Sequence, residues 1–409
     1  MIPLRCQLGL NGLNFFSAAM QTAFGPFFTV YLTQQGWSQV DVGLALSIGT
    51  LAALVFQLPA GWVVDTIHLK RLSTAIALVL LAIGSLIVFE TPSWGPVLTA
   101  QVVRGFAGCL ITPAIAALSL MLCGHAAFSE RLGINGRYAS LGTAFAAAVL
   151  GAFAHYLSDG VVFLVSAALV IPALASIVLF SGTERVPESD HAAVLHPRQR
   201  KQQHLRPWHI FRETPLHIFA ACVVLFHLAN AAMLPLVLNE LAKRGVQTGF
   251  VVSAAVIVPQ AVAVACSPWA GRLAERLGRR PVLLFGFAAL PLRGLLFVSL
   301  PDALPLVVIQ ALDGVSATVF GLAMPLIAAD VTRQSGYLNL AIGSLGLAAG
   351  LGATASTTLA GWIADTFGAP VAFLFLSLIG LASVAAIWRA MPETRPMPPL
   401  ARTSAMLTV

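Results

Sequence analysis

The feature that most limits what this chain can fold into is an apolar stretch that recurs along its whole length. Each stretch has about 20 residues, which is what a helix needs to cross the hydrocarbon of a bilayer. Short charged or Pro- and Gly-rich breaks separate them, leaving stretches over roughly residues 8–32, 40–60, 72–89, 96–123, 135–157, 161–181, 215–239, 247–270, 281–300, 303–329, 339–364 and 370–389. Twelve such stretches predict an all-α membrane protein with both ends on one side. Charged residues make up only 10% of the chain and hydrophobic ones 58%, whereas soluble domains carry about 25% charge. A soluble globular enzyme is excluded. The 34 Gly and 24 Pro agree, because membrane helices tolerate both better than soluble helices do. The apolar run after Arg5 is longer than a signal-peptide core and lacks a small-x-small cleavage site. We read it as a first span kept in the mature protein.

The bases say which side the ends face. Of 23 Lys and Arg, Arg104 and Arg293 fall inside spans, and Lys243 and Arg244 fall in the loop after the seventh; the other 19 share one face. By the positive-inside rule that face is cytoplasmic, which predicts a multi-pass protein of the cytoplasmic (inner) membrane with both termini inside. The net charge of +7 is then an orientation signal, and no nucleic-acid partner is expected. The basic run 198–212 reads as a solvated linker or, alternatively, as a patch for anionic lipid. The five cysteines are odd in number and form no CxxC pair, so neither a disulfide framework nor a metal or other cofactor is expected.

The only long polar stretch, 181–213, divides the chain into two sets of six spans. The expected units are 1–181, a linker 182–213, a second bundle 214–389 and a tail 390–409. The two bundles repeat each other. Gly61-Trp62-Val63-Val64-Asp65 at the end of span two returns as Gly271-Arg272-Leu273-Ala274-Glu275 at the end of span eight, 210 positions on. Gly151 and Phe163 return as Gly361 and Phe373 at the same offset, and Gln101 to Gly105 as Gln310 to Gly314 at 209. A shorter period lies within each half, since Gly61-Trp62-Val63-Val64-Asp65-Thr66 is echoed by Gly361-Trp362-Ile363-Ala364-Asp365-Thr366. An odd number of spans separates the two copies, so they face opposite sides, as inverted three-helix repeats require.

At these residues the sequence resembles the major facilitator superfamily of secondary transporters. The family's G-x-L-A-D-R-x-G-R-K loop between spans two and three is met in the second half by Gly271, Leu273, Ala274, Glu275, Arg276, Gly278, Arg279 and Arg280. The first copy keeps Gly61, Asp65, Lys70 and Arg71, with Thr66, His68 and Leu69 where Arg, Gly and Arg would stand. Arg104 with Gly108 is similar to the R-x-x-x-G of span four. The resemblance implies two pseudo-symmetric six-helix bundles that act as a monomer. It also implies that Asp65 and Glu275 hold one alternating-access state by accepting N–H bonds from a neighbouring helix N-terminus, with nearby bases tying the loop. The Gly-Pro pair of the family's drug antiporters is missing from span five.

An ionisable side chain inside a span costs at least about 2.5 kcal/mol and is a functional candidate for that reason. Three qualify: Arg104, Arg293 and Asp313. Arg104 and Asp313 hold equivalent positions in spans four and ten, which the family places around its cavity. One reading has them share that cavity, Arg104 binding an oxyanion with its planar fork and Asp313 exchanging a proton. The other has Arg104 bonded to helix carbonyls and Asp313 neutralised by Arg293 of the adjacent span. Asn14 and Gln21 share a face of span one, three and seven residues beyond Asn11 and Asn14 respectively; His227 and Asn230 share one of span seven. Each is either cavity lining or interhelical glue. Span one carries no acid, so proton coupling would fall on Asp313 or His227, with facilitated diffusion or exchange as the alternative.

The expected function is movement of a small organic solute by rocking two bundles around a midplane site. No G-x-x-x-x-G-K-[ST] loop, H-E-x-x-H or paired acids occur, which argues against ATP hydrolysis by that route and against a membrane-embedded enzyme. The alternatives are an exporter of amphiphilic drugs or siderophores and a transporter-like sensor without flux.

Overall fold

Inside a bilayer no water bonds the backbone, so a segment must satisfy its own N–H and C=O groups, and the helix does this within one segment. Among the described residues of the computed structural model the long elements are all α-helices. The structure describes residues 3–179 and 210–395, apart from residues 25, 38, 67–69, 159, 211, 244–248, 300–302 and 334. Most of the expected linker, the end of the tail, His68, Leu69 and Arg244 therefore lie outside the described residues.

Span one is Leu4–Thr22 continued by Pro26–Gln34, span two Gln39–Thr66 and span three Lys70–Glu90. Spans four and five form a single 63-residue run, Trp94–Tyr156, broken at Gly124, whose φ of 66° and ψ of 175° are not helical. The chain folds back there: Asn135 Nδ2 donates to Ser119 Oγ at 2.7 Å, although residues 16 apart in a straight helix would be separated by about 24 Å. Span six is Val161–Ala168 with Val170–Val178, and span seven is Thr214–Asn230 with Met233–Lys243. Spans eight to twelve are Gly249–Leu277, Arg279–Ser299, Ala303–Ile309 with Ala311–Val331, Leu338–Phe367 and Ala369–Ala390.

The helices run past the apolar stretches that announce them. Span five begins ten residues before the expected 135, and spans two and eight continue to Thr66 and Leu277. The signature residues Gly61 to Asp65 and Gly271 to Arg276 are thus on helix rather than loop, and only Gly278 remains between spans eight and nine. Polar residues extend these helices because partners on other spans satisfy them.

Two of the breaks lie beside prolines. Proline lacks the N–H that would bond four residues back, so Pro26 frees the carbonyl of Thr22 and Pro235 that of Ala231, where spans one and seven are interrupted. The second interruption is stitched by Ser356, whose Oγ accepts from Ala232 N at 3.1 Å.

Large apolar side chains such as Phe285, Leu378 and Trp388 point outward, each more than 60% exposed, as a lipid-facing surface demands. The buried apolar residues form four clusters. Cys6, Val64 and Ile177 belong to one and Leu340 and Met391 to another, and Asp65, next to Val64, accepts from Leu340 N, so the start of span one and the ends of spans two, six and twelve lie at one end of the bundle, called here the terminal face. At the far end each half keeps its own core, around Phe28 and Phe163 in the first and Phe297 and Phe373 in the second. At the terminal face the second half's core takes in Ala116, Phe128 and Leu132 of the first. Among the described residues the halves share a core at the terminal face and keep separate cores at the other end.

Candidate functional site

The terminal face is held by two seams between the halves. In the first, the Asp65 carboxylate at the end of span two accepts from the backbone N–H groups of Asn339 (3.1 Å) and Leu340 (2.8 Å) and from Asn339 Nδ2 (2.6 Å), at the start of span eleven. These are N–H groups that a helix leaves unpaired at its N-terminus, and a charged acceptor makes such bonds short and strong. Gly61 lies one turn before Asp65, where an added Cβ would stand 2.3 Å from the Asn339 carbonyl oxygen. Lys70 donates to the carbonyls of Val64 and Asp65 rather than to the carboxylate, and Arg71 follows it in the first turn of span three.

In the second seam Ser129 Oγ on span five donates to Glu275 Oε2 on span eight at 2.7 Å. Gly271 takes the place of Gly61: a Cβ there would stand 2.5 Å from the Ser129 carbonyl oxygen. The half-exposed pair Arg272 and Glu130, 3.6 Å apart, adds little in high dielectric. Behind this seam Arg279 is 4% exposed; it donates to Asp330 at 2.8 Å and 3.4 Å, to the Ala274 carbonyl at 3.0 Å and to Glu275 at 3.5 Å. Glu393 accepts from the backbone N–H groups of Arg279 and Arg280, Arg280 donates to the Trp388 carbonyl, and Arg395 donates to the Arg276 carbonyl. Asp330 and Glu393 were not among the sequence candidates; an acid at the end of an apolar run was the available signal.

Gly278 must turn the chain between spans eight and nine at φ 103°, with Glu393 2.4 Å from where its Cβ would be. Gly278→Ala should therefore destabilise the protein by about 1–3 kcal/mol, read as a lower thermal unfolding midpoint. An unchanged midpoint would mean the turn can relax freely.

Above the seams lies a cavity of about 330 Å³ between spans one, four, five, eight and ten, within the usual size of small-molecule sites. Its polar lining is Asn14, Ser17 and Gln21 from span one, Thr112 from span four, Asn135 and Ser140 from span five, Gln260 and Ser267 from span eight, and Asp313 and Thr318 from span ten. Asp313 is the ionisable side chain among these described lining residues. Contributions from spans five and eight escaped the sequence reading, because single amides and hydroxyls in apolar runs are common.

Arg293 is 1% exposed. Its Nη1 donates to Asp313 Oδ1, its Nη2 to Asn230 Oδ1 at 2.7 Å and its Nε to Met233 Sδ at 3.2 Å. The interruption of span seven after Asn230 puts Asn230 and Met233 on the two sides of the break, both facing the same guanidinium. Asp313 thus turns one oxygen to Arg293, while 23% of its side chain stays exposed toward the cavity.

Arg104 is not brought to Asp313. Its Nε donates to Gln101 Oε1 at 2.8 Å and its guanidinium lies 5.6 Å from the centre of the Phe24 ring. Of the two arrangements considered for Asp313, pairing with Arg293 is the one present; for Arg104 neither the cavity nor helix carbonyls but the side-chain oxygen of Gln101 serves. Equivalent places in two repeats put Arg104 and Asp313 on matching helix positions, yet each side chain is met by its own half. His227 also stays outside the cavity lining, packed edge-on against Phe320 with ring centres 4.7 Å apart.

Three comparisons bear on this arrangement. The family model described as Major Facilitator Superfamily matches residues 10–262 and 230–407. Two proteins of Mycobacterium tuberculosis, from strains CDC 1551 / Oshkosh and H37Rv, each called an uncharacterized MFS-type transporter, are 34% identical over 405 residues, covering 96% of this chain and 94% of theirs. Among solved structures, that of the human organic anion transporter MFSD10 (TETRAN) aligns with a TM-score of 0.68 at 14% identity, over 94% of this chain and 100% of that one; at that identity it speaks for the fold alone. With twelve spans in two six-helix halves, seams at the matching ends of spans two and eight, and these relatives, the chain belongs to the major facilitator superfamily.

Proposed function

We propose that this protein is a secondary transporter of the cytoplasmic membrane that carries a small, polar organic solute by alternating access. The terminal face is the cytoplasmic one, both termini lie inside, and the monomer is the working unit. The observation that carries this reading is the polar cavity, drawn from both halves and floored at the terminal face by two seams between them. Asn14 and Gln21 contact the solute from the first half and Asp313 from the second. Arg104, His227 and Asn230 act from outside the cavity, Asn230 by holding Arg293.

Asp313 is the coupling group. Its carboxylate is shared between Arg293 and the cavity, so a proton arriving from the cavity removes the charge that holds the pair and biases the halves toward the other state. In proteoliposomes with an internal pH dye, compounds that raise the thermal midpoint of the protein should drive proton movement together with their own. Asp313→Asn should abolish the proton movement and keep solute exchange between equal compartments. Proton movement surviving in that variant would remove Asp313 from the coupling role, and no flux of any binding compound would remove the transporter reading itself.

A further inference from the structure

The two halves treat their buried guanidinium groups differently. In the second half Arg279 is held by Asp330 and Arg293 by Asp313. In the first half the partners found among the described residues are neutral: Gln101 for Arg104, and for Arg131 the oxygens of Asn135 (2.7 Å from Nε) and Asn11 (2.6 Å from Nη2). Amide oxygens satisfy hydrogen bonds without cancelling charge, so a cation out of water is left with its full electrostatic demand. Arg131 is 4% exposed. The nearest acids in sequence and across the seam are taken elsewhere, Glu130 by Arg272 and Glu275 by Ser129 and Arg279.

Arg131 also stands in a particular place. Leu132, Gly133 and Asn135, just beyond it on span five, line the cavity, as does Asn14, one turn beyond Asn11 on span one. Two residues before it, Ser129 closes the seam to Glu275. The guanidinium therefore belongs to the stretch of span five between the seam residue Ser129 and the cavity-lining Leu132, Gly133 and Asn135.

We infer that the solute carries an anionic oxygen group, a carboxylate or a phosphate, and that Arg131 is its anchor at the terminal end of the cavity. The inference rests on the transporter reading above and narrows its solute class. In the closed state Asn11 Oδ1 stands where a ligand oxygen stands once the seam has opened, and the planar fork of arginine suits two such oxygens. The uncancelled charge of Arg131 then serves the cargo, which supplies the missing counter-charge.

Asn11→Asp tests this without removing the arginine, since it places a carboxylate on the same atoms. Purified full-length protein in detergent is melted against succinate, citrate, benzoate and inorganic phosphate, with choline, glucose and glycerol as the cationic and neutral set. At least one of the anions should raise the wild-type midpoint with increasing concentration. In Asn11→Asp the ligand-free midpoint should rise, and the affinity for that anion should fall roughly 10- to 100-fold. Arg131→Gln should show the same loss of affinity, whereas Arg137→Gln, an exposed base on the same span, should leave it unchanged. Shifts from choline, glucose or glycerol alone would overturn the inference while the transporter reading stood. So would an anion whose affinity is untouched by Asn11→Asp, or the absence of a shift from every anion.

Discussion

Gly61→Val should open the terminal face. The first new carbon would stand 2.3 Å from the Asn339 carbonyl oxygen and 2.8 Å from its carbon, and both are backbone atoms of a helix that cannot yield alone. Spans two and eleven must part, which also pulls the Asn339 and Leu340 N–H groups from Asp65. Overpacking of this kind costs about 1–3 kcal/mol, enough to shift an equilibrium between two states roughly 5- to 150-fold. The measurement is labelling of Thr112→Cys, a cavity-lining position, by a membrane-impermeant thiol reagent in a background freed of the five native cysteines. Wild type should react from the far side, and Gly61→Val from the terminal side. Gly361, the inverted-repeat counterpart of Gly61, has no atom of the described residues within 4 Å of its would-be Cβ. Gly361→Val should accordingly leave the wild-type labelling pattern in place or strengthen it, by obstructing closure of the far end. If the two variants label alike, the glycines are not the contacts that distinguish the states.

Asp313→Ala is expected to be the most damaging single change in the membrane interior. It strips the carboxylate from a guanidinium that is 1% exposed and leaves Asn230 Oδ1 and Met233 Sδ as the neutral acceptors. Removing one partner of a buried pair costs about 3–5 kcal/mol, whereas replacing both with apolar residues is often neutral. The thermal midpoint should therefore fall steeply in Asp313→Ala and recover in Arg293→Met combined with Asp313→Leu, although the recovered protein should no longer couple protons. A double variant as unstable as the single one would show that the loss comes from packing around span ten and not from an uncompensated charge.

The pairing of Gly61 with Gly271, and of Asp65 with Glu275, can be read from a fixed offset between halves, since a duplicated unit carries its close-packing glycines and helix-end acids with it. What they would touch is not legible: Asp65 meets Asn339, 274 positions away, and nothing in the local pattern around Asn339 announces an N-terminus waiting for a carboxylate. Offset alone misleads in the case of Arg104 and Asp313. Repeat symmetry places them on equivalent turns, but a charge inside a bilayer is satisfied by whatever polar atom lies within about 3 Å, and that atom is Gln101 in one half and Arg293 in the other.

The sequence by itself determined the number of spans, their helical form and the division into two related bundles, because each follows from backbone bonds that lipid cannot satisfy and from apolar lengths that match its thickness. Only the tertiary structure decided which polar side chains share a cavity and which are consumed in pairs. It also decided that, among the described residues, the halves share a core at the terminal face and keep separate cores at the other end. Those outcomes depend on how helices tens to hundreds of residues apart are rotated against one another, and a rotation of one helix changes its neighbours without changing any apolar pattern along it.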